Sequence, residues 1–195
     1  VRNILSSRYQ EVNGYDFYRY IFPDNQNVGE LSGNYSQPNA IYLYRDEEED
    51  PDRTYRRRIM LNDTWEDDYM NYVECNHKTL CSGLAYRDKK NRLENAQQMN
   101  ALVFDLDSVG ENELENLLLR MSKKPGLRTL PEPTFIVMSG TGLHIYYVFD
   151  RPVALYPNIK LQMKALKYDL TFKMWEYKAT SKEKQIQYQS INQGF

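Results

Sequence analysis

Residues 101–106, Ala-Leu-Val-Phe-Asp-Leu, form an apolar run of strand length, and the periodicities that follow it most constrain the fold. Leu114, Leu117, Leu118 and Met121 fall at helical spacing within 111–123, with glutamates in the first turn, Lys123 and Lys124 in the last, and Pro125-Gly126 as a stop. Residues 134–138 and 144–149 are two β-rich runs around a glycine-containing loop, which predicts a hairpin. Ile159, Met163, Leu166, Leu170 and Met174 then mark one face of a long helix and Lys160, Lys164 and Lys167 another, and Gln185–Ser190 has the pattern of a final strand.

The resulting order is β-α-β-β-α-β, the ferredoxin-like arrangement shared by RNA-recognition domains. In its antiparallel sheet the first and third strands are central neighbours, so the end of the first meets the beginning of the third. That juxtaposes Asp105 and Asp107 with His144, and brings the last strand, near Glu183 to Gln187, to the other side of the first. The expected class is therefore α+β, with this half spanning 96–195 and an N-terminal α/β subdomain of undetermined fold over 1–95. In that earlier segment, strands are expected around Tyr15 to Phe22 and Ile41 to Tyr44, a short helix from Thr64 to Val73, and an exposed loop through the acidic run 46–52, which contains Pro51.

Two segments carry the chemistry. Alternate side chains of a strand share a face, so Asp105 and Asp107 project together as a carboxylate pair suited to Mg²⁺ or Mn²⁺, hard cations that bridge protein carboxylates to substrate phosphates. Ser139-Gly140-Thr141-Gly142 offers backbone amides little obstructed by side chains, together with two hydroxyls, and such a loop can cradle phosphate. His144 can donate to a phosphate oxygen of the same triphosphate. Two-metal transfer requires a third carboxylate, for which Glu183 and Asp169 are the candidates, or one beyond the chain end.

Composition sets outer bounds. With 41% hydrophobic and 27% charged residues the chain is ordinary for a globular protein, and it has neither a membrane-spanning run nor a signal-peptide pattern, which favours the cytoplasm. Its net charge of −2 is not that of a globally basic nucleic-acid binder. The charge is uneven, however: 151–195 hold eight Lys or Arg against three acids, a surplus that either meets phosphates or is a solvated helix face. Val1 is not an initiator methionine and Gln193-Gly194-Phe195 has no terminal character, so a fragment of a longer protein, truncated at its C-terminus, is expected.

Phe104-Asp105-Leu106-Asp107 and Ser139-Gly140-Thr141-Gly142-Leu143-His144 resemble the first two motifs of the archaeo-eukaryotic primase superfamily, in particular the primase-polymerases of plasmids, phages and integrated mobile elements. The resemblance implies a primase-polymerase catalytic core performing template-directed, metal-dependent nucleotidyl transfer. Asp105 and Asp107 would bind the metals, and Ser139 and His144 would contact the incoming nucleoside triphosphate. Single-stranded DNA template would be a partner, and a helicase domain would follow in the parent protein. Ser139 and His144 stand farther apart than in the family's short Ser-x-His form, which passes the serine's part to Thr141 or the loop backbone. The third motif's aspartate is not clearly present, and the predicted last strand carries Gln187 and Gln189. Before residue 95 the likeness reduces to the basic stretch Arg87, Lys89, Arg92 and Asn95.

Two rival readings stand beside it. A haloacid dehalogenase-type phosphatase would use Asp105 as nucleophile, Asp107 as acid/base, Ser139 on phosphate and Lys164 or Lys167 to stabilise charge. A catalytically degenerate primase fold would only bind single-stranded nucleic acid, through the lysine stripe and aromatic stacking. Separately, Cys75, His77 and Cys81 supply three potential zinc ligands without an evident fourth, the alternative being reduced thiols. Of the adjacent Tyr146 and Tyr147, one must face each side of its strand.

Overall fold

A computed structural model describes residues 1–23, 37–46, 50–60, 78–86, 93–122, 126, 129–140, 142–174 and 191–192, with backbone placement alone for 37–46, 50–60, 78–80 and 191–192. The protein is mixed α/β, and its strands pair antiparallel at each pairing whose register is defined. It divides into two compact units, one formed by Val1–Glu11, Ala101–Asp150 and Tyr156–Phe195, the other by Val12–Asn100 and Arg151–Leu155.

The second of these units holds helix α2 (Gly14–Ile21) and strands β1 (Gln37–Asp46), β2 (Asp50–Met60) and β3 (Lys78–Tyr86), followed by a 3-10 turn at Leu93–Asn95 and the start of β4 (Ala96–Leu106). Sheet order here is β2-β1-β3-β4. The region from Tyr15 to Phe22, expected as a strand, is helical. Its aromatic residues favour a strand, but Phe17, Tyr18 and Ile21 fall on one helical face and are buried, and the side chain of Asn13 caps the helix by accepting from the Asp16 amide at 2.8 Å. Asn100, buried in β4, donates through Nδ2 to the Ile21 carbonyl at 2.9 Å and so ties the end of α2 to the sheet. The acidic run is also corrected in part: Asp50, Pro51 and Asp52 open β2, because an edge strand tolerates proline at its start where a central one would lose a ladder bond. The proposed helix from Thr64 to Val73 lies outside the described residues.

The other unit begins with α1 (Arg2–Arg8) and continues from the last part of β4 through α3 (Glu111–Met121), β5 (Phe135–Met138), β6 (Leu143–Ala154, whose residues from Arg151 belong to the unit just described), α4 (Pro157–Met174) and β7 (Ile191–Asn192). Its strands lie in the order β7-β4-β6-β5. Both faces of β4 are buried from Met99 to Phe104, which is why its part from Ala101 to Phe104 reads as a continuous apolar run without alternation. The stripe Leu114, Leu117, Leu118 and Met121 buries one side of α3, as its spacing predicts. Two of those leucines are fully inaccessible, and each stabilises the unit by about 1.5–3 kcal/mol through burial. The expected last strand Gln185–Ser190 lies outside the described residues; the strand that pairs with β4 is Ile191–Asn192.

Helix α4 is held at its end by a neighbour. Arg120, on the last turn of α3, donates through its guanidinium to the carbonyls of Lys173 and Met174, the latter at 2.9 Å, placing a cation at the negative pole of α4. The same side chain donates to Thr129 at 3.1 Å, and the Arg120 carbonyl accepts from the Thr129 and Leu130 amides. One residue thus joins the end of α3, the following connection and the end of α4. Leu117→Ala is expected to lower unfolding free energy by about 2–5 kcal/mol in denaturant titration, whereas the same change at half-exposed Leu119 stays within about 0.5 kcal/mol.

Candidate functional site

Asp105 is the penultimate residue of β4 and His144 the second of β6. Their meeting follows from a close approach of backbones. A side-chain carbon built on Gly142 would sit 2.2 Å from the Leu106 carbonyl oxygen and 3.2 Å from the Asp107 Cα, so only glycine lets the chain enter β6 against the end of β4. Once there, His144 Nε2 lies 3.4 Å from Asp105 Oδ1, with the imidazole 10% and the carboxylate 32% exposed. The histidine is walled in, while the acid keeps an open side. Strand alternation places Val137, paired with His144, and Phe135, paired with Tyr146, on the same face. Tyr147 turns to the other face, where its ring meets Phe104 edge-on at 6.0 Å and its hydroxyl donates to the Pro131 carbonyl at 3.2 Å. Burial pushes that phenol well above its ordinary range.

The remaining residues expected at the site are distributed as follows. Asp107 is half-buried just past the strand end, and Ser108 after it takes a left-handed φ of 57°, a conformation rare outside glycine that turns the chain away toward α3. Ser139 and Gly140 are exposed. The Ser139 amide donates to the Gly142 carbonyl at 3.1 Å and Gly140 has φ 102°, the geometry of a tight hairpin with two central residues. That amide is therefore committed to the turn; Thr141 lies outside the described residues. Gly142 acts through its close packing on β4 and not through freedom of its dihedrals.

Sequence reasoning did not single out Asn192, the residue in register with Asp105 across the β4-β7 pairing. The expected strand ended two residues before it, so no periodic signal reached it. Of the candidates for a third carboxylate, Asp169 is exposed on α4 and Glu183 lies outside the described residues. Among the described residues no three His, Cys, Asp or Glu side chains gather to hold a metal ion. Cys81 is buried on β3 with its thiol pushed up by burial, while Cys75 and His77 of the possible zinc set lie outside the described residues, as do Arg87, Lys89 and Arg92. Among the described residues no helix is long and apolar enough to cross a membrane.

The lysines of α4 differ among themselves. Lys164 is exposed, whereas Lys167 is largely buried and its ammonium is lowered to about 8 by loss of solvation.

No family model, curated protein or solved structure matches the chain.

Two outcomes are expected from these placements. Gly142→Ala destabilises by about 2 kcal/mol or more, because backbone must move to admit the methyl group, and it displaces the His144 imidazole resonance in NMR spectra. Lys167→Met raises the melting temperature at neutral pH. The folded state holds this lysine's proton less tightly than the unfolded chain does, so the cost is fully present below pH 8 and disappears as pH rises from about 8 toward 10.5. Melts across that window should therefore show the gain shrinking with pH.

Proposed function

We propose that this chain is the catalytic core of a primase-polymerase of the archaeo-eukaryotic type, performing template-directed nucleotidyl transfer in replication of a mobile element. The observation that carries the reading is the 3.4 Å approach of His144 Nε2 to Asp105 Oδ1. It occurs at the junction of β4 and β6, in a unit whose order β7-β4-β6-β5 supports a ferredoxin-like half with its site at that junction. A rare histidine, one of two in the chain, is thereby set against the first residue of the Asp-x-Asp motif.

Asp105 and Asp107 are the residues that would hold Mg²⁺ or Mn²⁺, and all-oxygen ligation by carboxylates fits a hard cation whose other positions go to phosphate and water. When bound, that cation supplies charge neutralisation for the triphosphate and for the transfer transition state. The residues of this chain do the rest. Asp105 Oδ1 faces His144 Nε2 at 3.4 Å, and the carboxylate, 32% exposed, keeps an open side on which a cation would sit. The exposed Ser139 hydroxyl borders the same corner at the start of the β5-β6 turn. His144, shielded from water, turns Nε2 to Asp105, so it is as an imidazolium that it would offer Nδ1–H to a phosphate oxygen, where a low local dielectric strengthens the bond. A single-stranded DNA template and a helicase domain in the parent protein complete the proposal.

The test is extension of a primed single-stranded template with nucleoside triphosphates and Mn²⁺. Asp105→Asn and His144→Ala should each reduce extension by on the order of 100-fold or more while thermal stability is retained within a few degrees. Binding of nucleotide and template without any extension would favour the binding-only reading. Rapid hydrolysis of a generic phosphomonoester, abolished by Asp105→Asn, would replace the proposal with the phosphatase one.

A further inference from the structure

Within its face of the sheet His144 has a neighbour on every side. Asp105 lies toward β4, with the imidazole Nε2 3.4 Å from its carboxylate. Along β6 itself the neighbours are Gly142, whose backbone is packed against the Leu106 carbonyl, and Tyr146, which is 1% exposed, so neither leaves room for a ligand. Toward β5 stands Val137, in register with His144 and therefore on the same face, with its side chain about 5 Å from that of the histidine. Val137 is only half-buried.

A carboxylate, an imidazole and an isopropyl group thus form a row across β4, β6 and β5. The chemistry of a nucleotide runs in the same order. In the proposed transfer reaction, on which this inference rests, a cation on Asp105 and the imidazolium of His144 hold phosphate, and the group bonded to the reacting phosphate is the sugar. Because the positions before and after His144 are filled, the sugar has Val137 as its partly open neighbour. Valine carries no side-chain donor or acceptor. It packs against the C2′ methylene of a deoxyribose, whereas the 2′-hydroxyl of a ribose would lose water there and gain no partner. An apolar contact of this kind rejects an added hydroxyl by roughly tenfold to a hundredfold.

We propose that Val137 sets the sugar specificity of the nucleotide site, selecting 2′-deoxynucleoside triphosphates over ribonucleoside triphosphates. The residue acts by direct contact with the substrate and takes no part in the transfer step itself.

Extension of a primed single-stranded template by the full chain with Mn²⁺, supplied with either dATP or ATP, reads the preference as a ratio of kcat/KM. The wild-type chain should favour dATP at least tenfold. Val137→Thr keeps the branched shape and adds a hydroxyl that bonds to ribose and is left unpaired by deoxyribose, so KM should fall for ATP, rise for dATP, and the ratio shrink roughly tenfold. Val137→Ala admits water beside the 2′ position and should narrow the ratio as well; it replaces the threonine variant if circular dichroism shows that variant misfolded. A packing role alone would affect both nucleotides alike and leave the ratio where it was. Extension by the wild-type chain without sugar preference, a preference for ATP, or a ratio that the folded variant leaves unmoved would each overturn the inference while the transfer reading stands. Absence of extension with either nucleotide would overturn both.

Discussion

The contact on which the site-bearing unit depends is the passage of Gly142 against the Leu106 carbonyl. Any side chain there would lie 2.2 Å from that oxygen, well inside the closest approach of two atoms. Strand β6 therefore starts where β4 ends, and the register of everything after it is inherited from that point. His144 faces Asp105 because it lies two residues beyond this glycine. A one-residue slip would send the imidazole to the opposite face. Packing the backbone this tightly also narrows the space around the pair, which leaves the imidazole nearly inaccessible and the carboxylate with one open side.

The apolar stripe of α3, the hairpin of β5 and β6 and the strand ending at Asp105 were legible because each has a clear period and is bounded by turn or charge signals. Two errors share another cause. The segment from Tyr15 to Phe22 is rich in aromatics that favour strands, yet Asn13 and Asp16 fix a helix start that outweighs propensity. Pro51 looked like a loop residue and instead opens an edge strand, a distinction that depends on which strands lie beside it. The role of Gly142 was invisible for the same reason: a glycine needed for flexibility and a glycine needed for proximity are spelled alike.

Helix α4 illustrates how periodicity can be right about a face and incomplete about its meaning. The apolar positions expected to point inward do so in part, with Met174 buried and Leu166 exposed, while Lys167 shares the inner side at a cost in solvation. Leu161, Tyr168 and Phe172, exposed elsewhere on the helix, cancel the amphipathic signal. What secures the helix is accordingly not a deep apolar stripe alone but the guanidinium of Arg120 at its final carbonyls. A charged cap from another helix replaces the glycine signal that sequence reading normally uses to find a helix end.

Strand β4 is counted in both compact units, its residues to Asn100 in one and from Ala101 in the other. The division falls between two adjacent residues of one strand, Asn100 and Ala101. The same continuity means that neither unit is a portable module. Recombination or gene fission that moved one without the other would have to cut through the middle of a strand.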